Sequence, residues 1–173
     1  MTFDEDDEYT YVPGKGRVRK SHQLLEAFGT VDELNSLIGY AAAVIKEADI
    51  YAYLQRVQEC LFNIGSYLAV RNRPLDTVVK GLDELRAWSK GLEQGLPPLK
   101  RFIYPTGSPE ACLLHFCRAV SRRAEREVVR LSELENIDKI VVSYLNMLST
   151  FLFTAARTLN YRRGFKDEEW APV

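Results

Sequence analysis

Between Phe102 and Arg126 the chain reads FIYPTGSPEACLLHFCRAVSRRAER, and four polar residues within it, His115, Arg118, Arg122 and Glu125, follow one another at spacings of three and four. On a helix such spacing gathers them into one sector, with Arg126 at its edge. Three guanidinium groups beside one carboxylate suit the binding of an anion. The preceding turn, Tyr104-Pro105-Thr106-Gly107-Ser108, leaves N–H groups at a helix N-terminus, where anions commonly bind. The competing reading is a solvated stripe whose charges pair with one another.

The element that must carry this sector is readable from its ends. Ser108 supplies a capping oxygen, Pro109 suits the first helical position, and Glu110 favours the positive end of the helix dipole. Leu113, Cys117, Val120, Ala124, Val128 and Leu131 form the apolar sector that must pack into a core, and the helix is expected to run to about Glu135. Thr30-Val31-Asp32-Glu33 has the form of a capping box and predicts a helix starting there. Further helices are expected over about 50–70 and 77–93, the latter the shortest, and over 137–161. On the last, Tyr144, Leu148, Phe151, Leu152, Ala155 and Leu159 face the core, opposite a mixed polar stripe of Asn146, Thr150, Phe153, Arg157 and Asn160.

Residues 1–20 are polar and broken by Pro13, Gly14 and Gly16, so they predict a flexible arm outside the core, and residues 21–173 predict one helical-bundle domain. No strand alternation longer than a few residues is evident. The fold class is therefore all-α, four long helices and one shorter in a ferritin-like bundle. Neither His22 nor His115 follows a Glu by three residues, so the di-iron pattern of such bundles is not encoded and no metal site is expected. His115 reads as a hydrogen-bonded structural histidine.

Composition bounds the function. A chain of 173 residues, 46% hydrophobic, can bury one core. Its net charge of −1, with Glu125, Glu127, Glu133 and Glu135 interleaved among the arginines, argues against a nucleic-acid surface. Cys60, Cys112 and Cys117 are odd in number and lack CxxC spacing, which predicts reduced thiols and a cytoplasmic protein. The acidic cluster Asp4 to Glu8 is unlike a signal peptide, and no run of about 18 apolar residues predicts a membrane span.

Three separated segments resemble one family. Phe102 to Ser108 followed by Arg118 to Arg126 is similar to the FILPGGS…RTVCRRAER signature of PduO-type ATP:cob(I)alamin adenosyltransferases. Glu26 to Ser36, preceded by Arg17-Val18-Arg19-Lys20, resembles that family's EAYGTVDELNS segment, and Tyr144 to Arg157 its YLNRLSDxLFVxAR. The resemblance implies a homotrimer of helical bundles that binds ATP and a corrinoid where subunits meet and, with Mg²⁺, moves the 5′-deoxyadenosyl group of ATP to cob(I)alamin. By motif position Arg122 and Glu125 would contact the nucleotide with Arg126 beside them, Asn146 would hydrogen-bond it, and Lys20 would neutralise phosphate. Arg118 would pair with Asp32 across the subunit boundary, and Phe102 would sit against the corrin face. The family's TGDxGxT phosphate loop is replaced by Tyr9-Thr10-Tyr11-Val12-Pro13-Gly14-Lys15-Gly16-Arg17, where Gly14, Lys15 and Gly16 could form a shorter nest of N–H groups. Tyr104, Thr106 and Met147 also depart from the usual Leu, Gly and Arg. A degenerate phosphate loop would instead suit a non-catalytic corrinoid- or nucleotide-binding module of the same fold.

Overall fold

Apolar residues recurring at helical spacing build five helices: α1 (Gln23–Val44), α2 (Ala48–Ala69), α3 (Asp76–Glu93), α4 (Pro109–Leu134) and α5 (Lys139–Arg162). A short hairpin, β1 (Tyr9–Val12) and β2 (Gly16–Arg19), precedes them. The structure, a computed structural model, describes residues 7–171; residues 1–6, including Asp4, Glu5 and Asp6 of the acidic cluster, and residues 172–173 lie outside the described residues.

The helices pack in a closed circuit: α1 against α2 and α4, α4 against α5, α5 against α3, and α3 against α2. α5 is the most enclosed, with every residue from Thr154 to Asn160 buried. It is also the one described helix long and apolar enough to cross a membrane by length and composition. Where α2, α3 and α5 meet, Tyr53 stacks on Trp88 at 4.4 Å between centroids, and Phe151 closes on both at about 6 Å. The all-α bundle expected from the sequence is the fold observed.

Two local expectations are corrected. Thr30 does not start α1, since His22 does so two turns earlier, its Nδ1 accepting from the Leu24 N–H at 3.1 Å. Thr30 is buried in mid-helix, its hydroxyl donating to the Glu26 carbonyl at 2.7 Å. The apolar series Leu24, Ala27, Val31, Leu34 and Ile38 runs unbroken through the supposed cap, and burial of that series outweighs the local capping preference.

Nor is the N-terminal arm outside the core. Tyr9 pairs with Arg19, Thr10 with Val18, Tyr11 with Arg17 and Val12 with Gly16. Pro13 and Gly14 occupy the centre of a turn closed by the Lys15 N–H on the Val12 carbonyl at 3.0 Å, and Gly14 takes the φ of +84° that such a turn asks of its third residue. Val12 and Val18 are buried, while the Lys15 ammonium pairs with Glu135, which also holds Arg71 at 2.7 Å. The N–H and the ammonium that a phosphate nest would need from Lys15 are thus engaged within the chain.

If His22 is the cap, His22→Ala should cost about 1 kcal/mol of unfolding free energy, while Thr30→Val should change it by less than about 0.5 kcal/mol. Urea unfolding of the two variants checks this, and the opposite order would restore Thr30 as the helix start.

Candidate active site

α4 begins as its residues dictate: Ser108 caps it, its Oγ accepting from the Ala111 N–H at 3.3 Å, and Pro109 takes the first turn. Ala111, Leu114, Cys117, Val120, Ala124, Val128 and Leu131 are buried, which fixes the rotation of the helix. Leu113 falls at the edge of this face and is only half-buried, whereas His115, expected with the charges, is buried with the core. Arg118, Arg122, Glu125 and Arg126 occupy the opposite side.

These arginines differ from most others in the chain. Arg19, Arg56, Arg71, Arg123, Arg130, Arg157, Arg162 and Arg163 each hold a carboxylate. Among the described residues, Arg118, Arg122 and Arg126 have no ion-pair partner, and Arg126 donates only to the Arg122 carbonyl at 3.1 Å. Glu125 does not neutralise them: its Oε1 accepts from the Asn146 amide at 3.0 Å. The stripe is therefore not a set of internal salt bridges.

Arg118 and Arg122 open into a cavity of about 1050 Å³ between α4, α5 and the loop that leads to α4. Phe102, Ile103, Phe153 and Trp170 give it apolar walls, and Ser149 and Thr150 add hydroxyls. A second recess of about 350 Å³ lies between Arg122, Glu125, Arg126, Arg130 and Asn146, so Arg122 borders both. Such a pair of spaces can seat a large, mostly apolar body beside a polyanionic one.

The Arg118 guanidinium lies 5.5 Å from the centroid of the Phe153 ring, and His115 meets the same ring edge-on at 5.9 Å. Burial, and then the neighbouring Arg122, hold Arg118 below its ordinary pKa. Burial first, then Arg118, push the His115 pKa down, so this imidazole is neutral at pH 7. Its Nε2 is buried without a hydrogen-bond partner, contrary to the expectation of a hydrogen-bonded histidine. Phe102 stands at the rim, 80% exposed, with Trp170 against it edge-on at 6.4 Å. The segment after α5 is held there by backbone bonds from Trp170 N–H to the Phe102 carbonyl (2.7 Å) and from Tyr104 N–H to the Glu168 carbonyl (2.9 Å).

The family model for cobalamin adenosyltransferase matches residues 1–159. The chain belongs to the cobalamin adenosyltransferase family. It is 40% identical over 161 residues to the corrinoid adenosyltransferase of Bacillus subtilis, covering 90% of this chain and 83% of that one. The cobalamin adenosyltransferase of Cupriavidus metallidurans is 39% identical over 157 residues, covering 89% and 84%. A variant PduO-type ATP:corrinoid adenosyltransferase from Lactobacillus reuteri, solved with cobalamin and ATP, superposes with a TM-score of 0.87 at 31% identity and 95% coverage of both chains.

Against the family's motifs, one chain brings together Phe102, Arg118, Arg122, Glu125, Arg126 and Asn146 around the two spaces that Arg122 borders. It does not bring Asp32, Lys15 or Lys20 to either: Asp32 is exposed on α1, Lys15 is held by Glu135, and Lys20 is exposed at the end of the hairpin. Trp170 was not legible as a site residue, because a tail beyond the last helix carries neither periodicity nor motif. Arg157 and Asn160 looked like outward residues of a polar stripe, yet both are buried.

A buried neutral histidine has a definite pH signature in this adenosyltransferase. As pH falls through the ordinary value of 6.5 the unfolded chain takes up a proton that folded His115 refuses, so stability drops as pH falls below that value. Burial pushes Glu47 and Glu135 up, but hydrogen bonds and cationic partners together outweigh it and hold both below the ordinary value, and hydrogen bonds hold Asp49, Glu110 and Glu127 down likewise, so all five lose their contributions only at lower pH. Between pH 7 and about 5.5 the wild type should therefore lose melting temperature while His115→Gln stays nearly flat, as scanning calorimetry at fixed ionic strength would register. Parallel curves would remove His115 as the titrating group.

Proposed function

We propose that this protein transfers the 5′-deoxyadenosyl group of ATP to cob(I)alamin, giving adenosylcobalamin and triphosphate. The observation that carries the reading is the trio of unpaired arginines on α4, bordering an aromatic cavity on one side and a polar recess on the other. In the reaction the Co(I) electron pair forms a Co–C bond at ribose C5′ while the C5′–O bond breaks, and its electrons leave with triphosphate. The protein's work is to hold C5′ in line between the two and to stabilise charge growing on the leaving group. Arg122, bordering both spaces, sits where that charge develops, with Glu125, Arg126 and Asn146 around the nucleoside; Lys20, which lines neither space of its own chain, would meet phosphate from across the subunit boundary. Mg²⁺ enters with the nucleotide as Mg-ATP.

Phe102 supplies bulk and apolarity against the corrin face, which disfavours a lower axial ligand and eases reduction of four-coordinate cob(II)alamin. The active unit in this reading is a homotrimer, in which Arg118 pairs with Asp32 of the partner subunit. The exposed rings of Tyr40 and Phe116, beside half-buried Leu113, support such an assembly by offering apolar surface for burial. Free thiols at Cys60, Cys112 and Cys117 support a cytoplasmic setting.

One observation favours a second reading: the commitment of Lys15 to Glu135 leaves the hairpin tip poorly disposed to grip triphosphate. A module that binds corrinoid or nucleotide without turnover would follow. The decisive experiment is incubation of purified protein with Mg-ATP and chemically reduced cobalamin without oxygen. Adenosylcobalamin, seen by its absorbance, and stoichiometric triphosphate are expected, whereas cobalamin binding with no turnover would leave only the second reading. Arg122→Ala should lower kcat/KM about 10²- to 10³-fold, as loss of a donor to a developing anion does. Full activity in that variant would displace Arg122 from the centre of the site.

A further inference from the structure

Two buried polar side chains near the C-terminal end of α5 face neither cavity. Arg157, 5% exposed, donates from Nη2 to the Pro97 carbonyl at 2.7 Å and grips Asp167 Oδ2 with Nη2 and Nε at 2.7 and 3.0 Å. One turn further, Asn160 accepts from the Ser108 N–H at 2.9 Å and donates to the Thr106 carbonyl at 2.8 Å. Gly107 lies between those two contacts at φ +117°, and a Cβ there would stand 2.1 Å from Asn160 Oδ1. Backbone conformation and close approach both require the glycine.

Every one of these partners belongs to an irregular segment. Pro97 begins the loop that presents Phe102, Thr106 and Ser108 end it, and Asp167 begins the tail that carries Trp170. Loop and tail are then joined to each other through Phe102, Tyr104, Glu168 and Trp170. A charge buried in a bundle is expensive unless paired, and a hydrophobic residue of similar size would serve packing better. Here the buried donors instead specify where two irregular segments rest.

We infer that Arg157 and Asn160 are positioning residues for the corrinoid: by fixing both ends of the 97–108 loop and the start of the tail, they set the height of Phe102 and Trp170 over the cavity. This rests on the proposed function of the cavity. It makes a specific division: the corrinoid side of the site depends on the latch, while the recess around Arg126 and Asn146 does not, because α4 and α5 hold that recess directly.

Asp167→Asn tests it with the least threat to folding, since residue 167 lies on the tail beyond α5; Asn160→Ala and Arg157→Lys complete the set. The chain has two tryptophans, so a Trp88→Phe background leaves Trp170 as sole emitter. In each variant the corrinoid KM should rise about ten- to a hundredfold while the ATP KM stays within about twofold, and Trp170 emission should shift to the red as its contact with Phe102 loosens. Equal changes in both KM values, an unchanged corrinoid KM, or unaltered emission in Asp167→Asn would each overturn the inference. If the unmodified protein binds cobalamin but does not adenosylate it, the functional proposal fails by itself, and the cobalamin Kd and Trp170 emission of the same variants decide the latch. If Arg157→Lys does not fold, Asp167→Asn carries the test alone.

Discussion

Arg118 and Arg122 stand one helical turn apart with no carboxylate between them, and the rest of the structure has to support that arrangement. Like charges at this spacing cost about 0.2–0.5 kcal/mol on an exposed helix, and more where water is partly excluded. The opposite face of α4 outweighs this many times over, since each fully buried Leu or Val contributes about 1.5–3 kcal/mol and seven apolar residues from Ala111 to Leu131 are buried there. The same burial forbids the helix to rotate, so the arginines cannot turn toward the carboxylates that most other arginines find. Apolar walls at Phe102 and Phe153 then focus the field of the unscreened charges into the cavity.

A second constraint operates at the other side of that space. α5 is the innermost helix, yet its last turns carry Arg157 and Asn160 where a core would favour Leu or Met. Their partners are the Asp167 carboxylate on the tail and two carbonyls and one N–H of a loop whose backbone pairing with that tail is a single isolated bridge at Ile103. The bundle thus lends its rigidity to a segment that lies outside the helices. The aromatic rim inherits a fixed position from the most buried helix in the fold.

What the sequence disclosed followed from how local its causes are. Ser108, Pro109 and the apolar series of α4 act within a few residues of themselves, and that helix was legible to within one residue at each end. Thr30 misled because its capping pattern is equally local but weaker than burial of Leu24, Ala27 and Val31, which depends on α2 and α4. The hairpin hid for another reason: strands of four residues show too little alternation to register, though Pro13-Gly14 marked the turn. Arg157 and Asn160 were visible as polar residues on α5, but their direction was not, because only the folded loop and tail supply their partners. The charged sector was found by spacing, whereas its lack of internal salt bridges needed coordinates.

The charge balance also bears on assembly. Arg118, Arg122 and Arg126 leave net positive charge on one face of α4, and Glu125, occupied with Asn146, offsets it only in part. A bound triphosphate would relieve repulsion among the arginines, and so would Asp32 of the partner subunit placed against Arg118. Within a single chain the hairpin cannot share in this, because its tip is anchored to Glu135 and lines neither space. Nucleotide binding and subunit association would therefore draw on the same unsatisfied field. Had they acted on the same guanidinium they would compete; divided between Arg122 and Arg118, as in the proposed homotrimer, each would lessen the repulsion the other must overcome. In that homotrimer linkage would require ATP to tighten the assembly by the factor with which the assembly tightens ATP.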